Sequence, residues 1–350
     1  MAYRRSNGKG RKKIEPAALT MLFNTPTIAG GASDEFYIDL SQSASLLNRR
    51  FYRQGINWAV ASIKVLSPIT TGSLFVQKLP QSWVMSNAWM KGFKAWQRLN
   101  QEAMSESESV RPRFLDFKIY ADAQHHFDGF GANLLPKTLS QLPGGPQVVE
   151  EASAGEWESS KYVIPKTDGT DDVNSREIIA VGPSYPGASP ASTLNAVSLI
   201  EGYASSRGLP DVLDPNTPTD IRDAAGTAPE NWMQALFNEG TEQDDAVLTD
   251  LSSENNIAPY PFENDGVNTD TMYPGGANQL VGLEFHDFVQ IYETNVTNGV
   301  GIQRLKGGNF PCGLIAIDWT PAATNANVII QIDLVPGHHR GYLCESMTEM

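Results

Sequence analysis

The sequence predicts an all-β fold interrupted by one amphipathic helix. Three observations predict it. The 350 residues include 30 Gly and 22 Pro, so turns are plentiful and the apolar runs between them are short. Alternation of apolar and polar residues with a period of two recurs towards both ends of the chain. A single stretch repeats apolar residues at steps of three and four for long enough to form a clear helix. The hydrophobic fraction of 41 % is that of a globular chain able to build a sizeable core.

Residues 1–16 read as a flexible basic arm. Arg4, Arg5, Lys9, Arg11, Lys12 and Lys13 stand there without an acid among residues 1–14, and Gly8 and Gly10 loosen the backbone. Such a tail serves as a nucleic-acid contact, as a targeting signal or as a solvated end. Residues 17–350 read as one β unit. Phe36, Ile38 and Leu40 alternate with Tyr37 and Asp39, and Ile56–Leu66 places Ile56, Trp58 and Val60 on one face. A further strand runs from Ser73 to Leu79, where Pro80 ends it.

The helix follows Pro80, with Ser86 as its expected cap and Trp89, Phe93, Trp96, Leu99 and Ala103 as its apolar stripe. Gly92 costs such a helix about 1 kcal/mol relative to Ala, which points to close packing at that position. The stripe reads as a core face. Leu115, Phe117 and Ile119 then alternate with Asp116 and Lys118, predicting a strand between Arg113 and Tyr120.

The stretch of about 122–280 is rich in Pro, Gly, Asp, Asn and Ser and reads as loop excursions from the framework. Short apolar pieces lie at Tyr162–Ile164 and Glu177–Val181, with weak helical patterns at Ala191–Ala204 and Pro229–Phe237. Strand patterns return at Leu283–Tyr292, Gly313–Trp319, Val328–Leu334 and Arg340–Cys344.

Charge divides the chain. The net charge of −14 excludes a uniformly DNA-coating surface. Between residues 201 and 275 the only basic residues are Arg207 and Arg222, among many Asp and Glu. A basic arm on an acidic body suggests two faces with different partners. Two cysteines, Cys312 and Cys344, make no disulfide framework and no metal module, although one bridge between them is open. No apolar run is long enough for a membrane span.

The search for chemistry is mostly negative. There is no phosphate-binding loop, and Gly129-Phe130-Gly131 is too short for a dinucleotide fingerprint. His125-His126, His286 and His338-His339 have no metal-ligand spacing, so no metal and no cofactor are expected. Asp168, Asp171 and Asp172, or Asp244 and Asp245, could supply oxygen ligands to Ca²⁺, but none has EF-hand spacing and solvated acidic loops are the better reading. No catalytic role is expected.

Three stretches carry a family likeness. They are Tyr37-Ile38-Asp39-Leu40-Ser41-Gln42, continuing through Leu47-Asn48-Arg49-Arg50-Phe51-Tyr52-Arg53-Gln54-Gly55; Leu79-Pro80-Gln81-Ser82-Trp83-Val84-Met85-Ser86-Asn87-Ala88-Trp89 with Lys91-Gly92-Phe93; and Leu334-Val335-Pro336-Gly337-His338-His339-Arg340-Gly341-Tyr342. Together they resemble capsid proteins of small circular single-stranded DNA viruses from aquatic and other environmental samples. The likeness covers the first 120 or so and the last 50 or so residues.

This resemblance implies a viral jelly roll with long loop insertions, or alternatively a double jelly roll. It also implies a homo-oligomeric icosahedral shell and viral genomic DNA bound inside by Arg4, Arg5, Lys9, Arg11, Lys12 and Lys13. The location implied is the virion, and the host cell interior during assembly. The competing expectation is a carbohydrate-binding or carbohydrate-active β-sandwich, with Glu156 and Glu158 beside Trp157 as acid and base.

Overall fold

The computed structural model describes residues 16–67, 71–106, 116–141, 147–155, 157–165, 173–184, 196–207, 282–292 and 301–350. The first part of the chain forms β1 (Thr20–Asn24), β2 (Asp34–Asp39), α1 (Leu40–Asn48), β3 (Ile56–Ser67), β4 (Gly72–Lys78) and α2 (Trp83–Glu106). Then come α3 (Ala123–Asp128), β5 (Lys137–Gln141), β6 (Gln147–Glu151), β7 (Lys161–Pro165), β8 (Val173–Ile179), β9 (Ala196–Ser198) and α4 (Leu199–Arg207). The remainder holds β10 (Glu284–Ile291), β11 (Gly301–Phe310), β12 (Leu314–Pro321), β13 (Ile329–Leu334), β14 (Pro336–Gly337), β15 (Gly341–Tyr342) and β16 (Cys344–Ser346).

The fold is all-β at its centre. Two antiparallel sheets carry it, one in the order β1-β13-β3-β11 with β16 also on β3, the other in the order β10-β4-β12-β2. Alternation along the strands aims one set of side chains between the sheets. Phe23, Ile63, Val65, Leu305, Ile330 and Ile332 from the first sheet meet Ile38, Leu74, Val76, Ile315, Ile317 and Trp319 from the second in one core.

The opposite face of the second sheet is covered as well. Tyr37, Leu314 and Ala316 point away from the sandwich into a second core. That core is completed by Val84, Met85, Ala88, Trp89 and Trp96 of α2 and by Tyr162, Ile178, Val197 and Leu199. This explains why β12 is nearly continuous in apolar residues, because a strand buried on both faces cannot alternate.

Several expectations change at this point. The helix begins at Trp83, and Ser82 caps it by accepting from the Met85 N–H at 3.4 Å. Ser86 lies inside the helix and donates its hydroxyl to the Met347 carbonyl. The stretch expected as loops is partly ordered into the hairpin β5–β6, the sheet β7-β8-β9 and α4. Helices α1 and α3 join the one that was expected, and α4 overlaps the weak helical pattern read at Ala191–Ala204.

Residues 116–119 form no strand; only Tyr120 bridges, to Ile179. The backbone of that segment is satisfied by other means. Gln54 receives the Ile119 N–H and donates to the Ile119 carbonyl, while Lys118 exchanges bonds with Ser160. No helix among the described residues is long and apolar enough to cross a membrane.

Candidate functional site

A cleft of about 780 Å³ opens between α2, the segment before β3 and the turn before β15. Trp89, Phe93 and Trp96 supply its helical wall because residues three and four apart share a helix face. Trp89 and Trp96 are buried, 5 % and 6 % exposed, and Phe93 is half-buried. Their rings stack in series, with centroids 4.9 Å apart for Trp89–Phe93 and 6.3 Å for Phe93–Trp96. Phe117 closes the back, 5.5 Å from Trp96. Trp89, Phe93 and Trp96 of the stripe thus belong both to the core and to the cleft wall.

The other wall comes from Phe51, Arg53 and Gly55. Arg49 adopts φ 53° as the residue after α1 and so turns the chain out of the helix. Trp89 lies against Gly55 so closely that a Cβ there would stand 2.2 Å from its ring. Arg340 approaches from the far side. It also has a positive φ of 50°, and its guanidinium donates to the Phe51 carbonyl at 2.5 Å while its own carbonyl accepts from the Tyr52 hydroxyl. Arg53 and Arg340 are exposed, so the mouth of the cleft carries two cations.

Asp116 is the acid in the wall. Burial raises its pKa, opposed by Lys118, whose Nζ stands 3.6 Å from Oδ2. That separation is an ion pair and not a hydrogen bond, and Oδ2 has no hydrogen-bond partner. The Trp89 indole Nε1 is likewise without one. Lys118 also sits over Trp157, 4.0 Å from the ring centroid, and over Phe51 at 5.5 Å.

Beneath this wall lies a buried carboxylate. Asp39 caps α1 by accepting from Ser41 and Gln42, and it also accepts from Gln54 and the Trp157 indole. Burial nevertheless pushes its pKa up to about 6, because four donors only partly replace water around a fully enclosed charge.

The histidines make a separate centre. His125 and His126 stand on α3 and not on a strand. His125 Nδ1 accepts from the Ala121 N–H, which leaves Nε2 to donate to Asn133 at 2.8 Å. Tyr37 stacks on the ring at 4.3 Å. Burial drives the His125 pKa down to about 3, so it is a neutral core group with both nitrogens used. His126 bonds Glu177 at 2.6 Å, and that bond draws the Glu177 carboxyl down to about 2. Among the described residues, no group of three His, Cys, Asp or Glu is placed to hold a metal ion. Cys312 and Cys344 are both free.

Other expected residues fall as follows. Arg4, Arg5, Lys9, Arg11, Lys12 and Lys13 lie outside the described residues, as do Glu156, Asp168, Asp171, Asp172, Asp244 and Asp245. Glu158 is exposed, and Trp157 has its indole N–H on Asp39 and its ring under Lys118, which leaves little of it for a sugar. The described chain starts at Pro16. The Tyr342 hydroxyl donates to the Ala18 carbonyl, and Tyr342 packs on Tyr52, which packs on His339.

The sequence did not single out Arg53, Asp116 or Arg340 as site residues. A signal was nevertheless present. The three stretches that carry the family likeness meet here, contributing Phe51, Arg53 and Gly55; Trp89 and Phe93; and His339 and Arg340. In comparisons with known proteins the chain matches no family model, no curated protein and no solved structure.

Proposed function

We propose that this chain is a structural coat protein that self-assembles into an icosahedral shell around a single-stranded DNA genome. The observation that carries the reading is the strand order. Sheets ordered β1-β13-β3-β11 and β2-β12-β4-β10 support a jelly roll, the pair of Greek keys used by viral capsids and by some lectins. The described residues contain one such pair of sheets, which favours a single roll with a large insertion between β4 and β10 over a double roll.

The insertion supports the same reading. It spans residues 79–283 between two strands that are hydrogen-bonded neighbours, and it holds the most acidic part of the chain. A shell subunit needs such material for contacts around symmetry axes, and its negative charge keeps particles apart in solution. The basic residues Arg4, Arg5, Lys9, Arg11, Lys12 and Lys13 would supply the opposite charge for phosphate on the inner surface. The protein would then reside in the virion, and in the host cell while shells form.

The test is the size of the expressed protein by light scattering and electron microscopy. Closed shells or symmetric capsomers are expected. A stable monomer at high concentration across salt and pH would overturn the proposal. Binding of oligosaccharide by that monomer would favour the lectin-like use of the same strand order.

A further inference from the structure

We propose that this protein binds a second copy of itself through the outer faces of its two central sheets. The row Phe288, Phe75, Asp318 and Glu35 on one copy meets Ile302, Leu66, Arg304 and Lys64 on the other. The inference rests on the coat-protein reading for the purpose of the contact, and it names the surfaces through which subunits would join.

Strand register builds both surfaces. In the second sheet, Leu74 and Val76 of β4 enter the sandwich core, so Phe75 between them points away from it. Phe75 stands opposite Phe288 on one side and Asp318 on the other, and Asp318 stands opposite Glu35. One row thus crosses four strands, aromatic over β10 and β4 and acidic over β12 and β2. The two rings stack at 5.5 Å, and Phe288 remains 50 % exposed. Phe285, 56 % exposed, widens the aromatic end.

In the first sheet, Ile63 and Val65 of β3 enter the same core, so Lys64 and Leu66 point away from it. Leu66 stands opposite Ile302 of β11 and Ile329 of β13, which are 56 % and 40 % exposed. Two residues along the same strands, Lys64 stands opposite Arg304. Lys306 prolongs the cationic end, and both it and Arg304 are exposed. Asp333 pairs with Lys64 at 2.6 Å, which leaves Arg304 and Lys306 for a partner.

Complementarity commits the partner to a second copy. Each surface holds like charges directly opposite one another, Asp318 with Glu35 and Lys64 with Arg304, an arrangement that is unfavourable in a lone subunit. Burial, and then the charges of Asp122 and Asp318, raise the Glu35 carboxyl to about 7, and a cation brought against it would offset that. Exposed apolar side chains rimmed by charge are the mark of a protein-binding surface. The geometry agrees as well. On the second sheet the apolar and acidic pairs lie about 10 Å apart across the strands, and on the first the apolar and cationic pairs lie about 7 Å apart along them. Matching both requires the strands of the two copies to cross near a right angle, one of the usual packings of sheets, with long cationic side chains spanning the difference. The two surfaces lie on opposite sides of the sandwich, so the contact is heterologous and its repetition generates rings or filaments.

The test is sedimentation velocity of the full chain. Phe288→Ala, Asp318→Lys and Arg304→Glu should each weaken self-association about tenfold or more. A chain carrying Asp318→Lys together with Arg304→Glu should regain it, because the reversed charges meet again across the contact, whereas a folding defect would persist. Phe288 replaced by p-benzoylphenylalanine, mixed with a nitrogen-15-labelled parent and irradiated, should give adducts between copies at Ile302, Leu66 or Ile329.

Unchanged association in the three single variants, a double variant as weak as either, or adducts confined to residues 208–281 of the same chain would overturn the proposal. Shell formation is read separately. Shells that form equally well in every variant would sink this contact alone. Association that is lost and rescued as described, but never closes into shells, would sink the coat reading alone.

Discussion

Gly92→Ala should destabilise the protein although it improves the helix. Gly92 lies in the middle of α2, where alanine is better by about 1 kcal/mol in helix propensity. A Cβ at this position would stand 2.4 Å from Leu199 Cδ2 and 2.7 Å from the Tyr162 hydroxyl oxygen. Neither neighbour has room to move freely, since both residues are 0 % exposed. The Tyr162 hydroxyl also donates to the Gly92 carbonyl at 2.7 Å, so displacing it strands a buried donor. Overpacking costs about 1–3 kcal/mol and a stranded donor about as much again, so a net loss of about 3 kcal/mol is expected after the propensity gain.

Urea unfolding of the unassembled subunit should show a lower midpoint at unchanged slope. Leu199→Ala made together with Gly92→Ala should recover part of the loss, giving a coupling of opposite sign to the single effects. A Gly92→Ala protein as stable as the parent, or more so, would refute the packing argument.

Trp96→Ala should cost about 3–5 kcal/mol, because the ring is nearly enclosed against Phe93 and Phe117; a change below about 1 kcal/mol in the urea midpoint would mean the wall of α2 is not packed. His125 should make folding sensitive to acid. Its folded pKa of about 3 lies below its ordinary 6.5, so the stability it contributes is present above 6.5 and lost as pH falls towards 3, at up to about 1.4 kcal/mol per unit. Glu35 and Asp39, raised by burial to about 7 and about 6, act with the opposite sign, so the readout is the difference between the parent and His125→Gln over pH 4–6.5, where the parent should have the steeper acid loss. Deleting residues 2–14 should leave folding intact and reduce encapsidated DNA; binding of single-stranded DNA by the parent should follow a log–log salt slope of roughly −4, and equal DNA content with an equal slope in both proteins would leave the arm as a signal.

The framework was legible wherever one face of a strand is buried and the other wet. Residues 56–66, 73–79 and 328–334 announced themselves by alternation, and the structure places strands there. β11 was missed because Gly307 and Gly308 dilute its pattern. The first of these is present because the Ala61 carbonyl would lie 2.3 Å from a Cβ, a constraint exerted by another strand and invisible locally. α1 was hidden behind the apolar Leu40, which prolongs the alternation of β2, although Asp39 was already in place as a cap. Phe117 and Ile119 are buried as their pattern required, but the Ile119 backbone is claimed by Gln54, a side chain over sixty residues away. The site was less legible still. The stripe on α2 is visible as one wall of a cleft only when Phe51 and Arg340 arrive opposite, and sequence spacing carries no record of that meeting.

The placement of β12 and β13 has a consequence in time. Each lies between two strands made much earlier, β12 between β4 and β2, and β13 between β1 and β3. During synthesis β1 and β2 therefore wait without their sheet neighbours until residues 314–334 have been made, at a rate of about 5–20 residues per second. Contacts of such sequence separation close slowly, and unpaired strand edges invite association with other chains meanwhile. An interrupted chain that stops before Leu314 would lack a neighbour for the first strand of either sheet. The late strands thus act as a check on completion, since only a chain read through that point can close its sandwich.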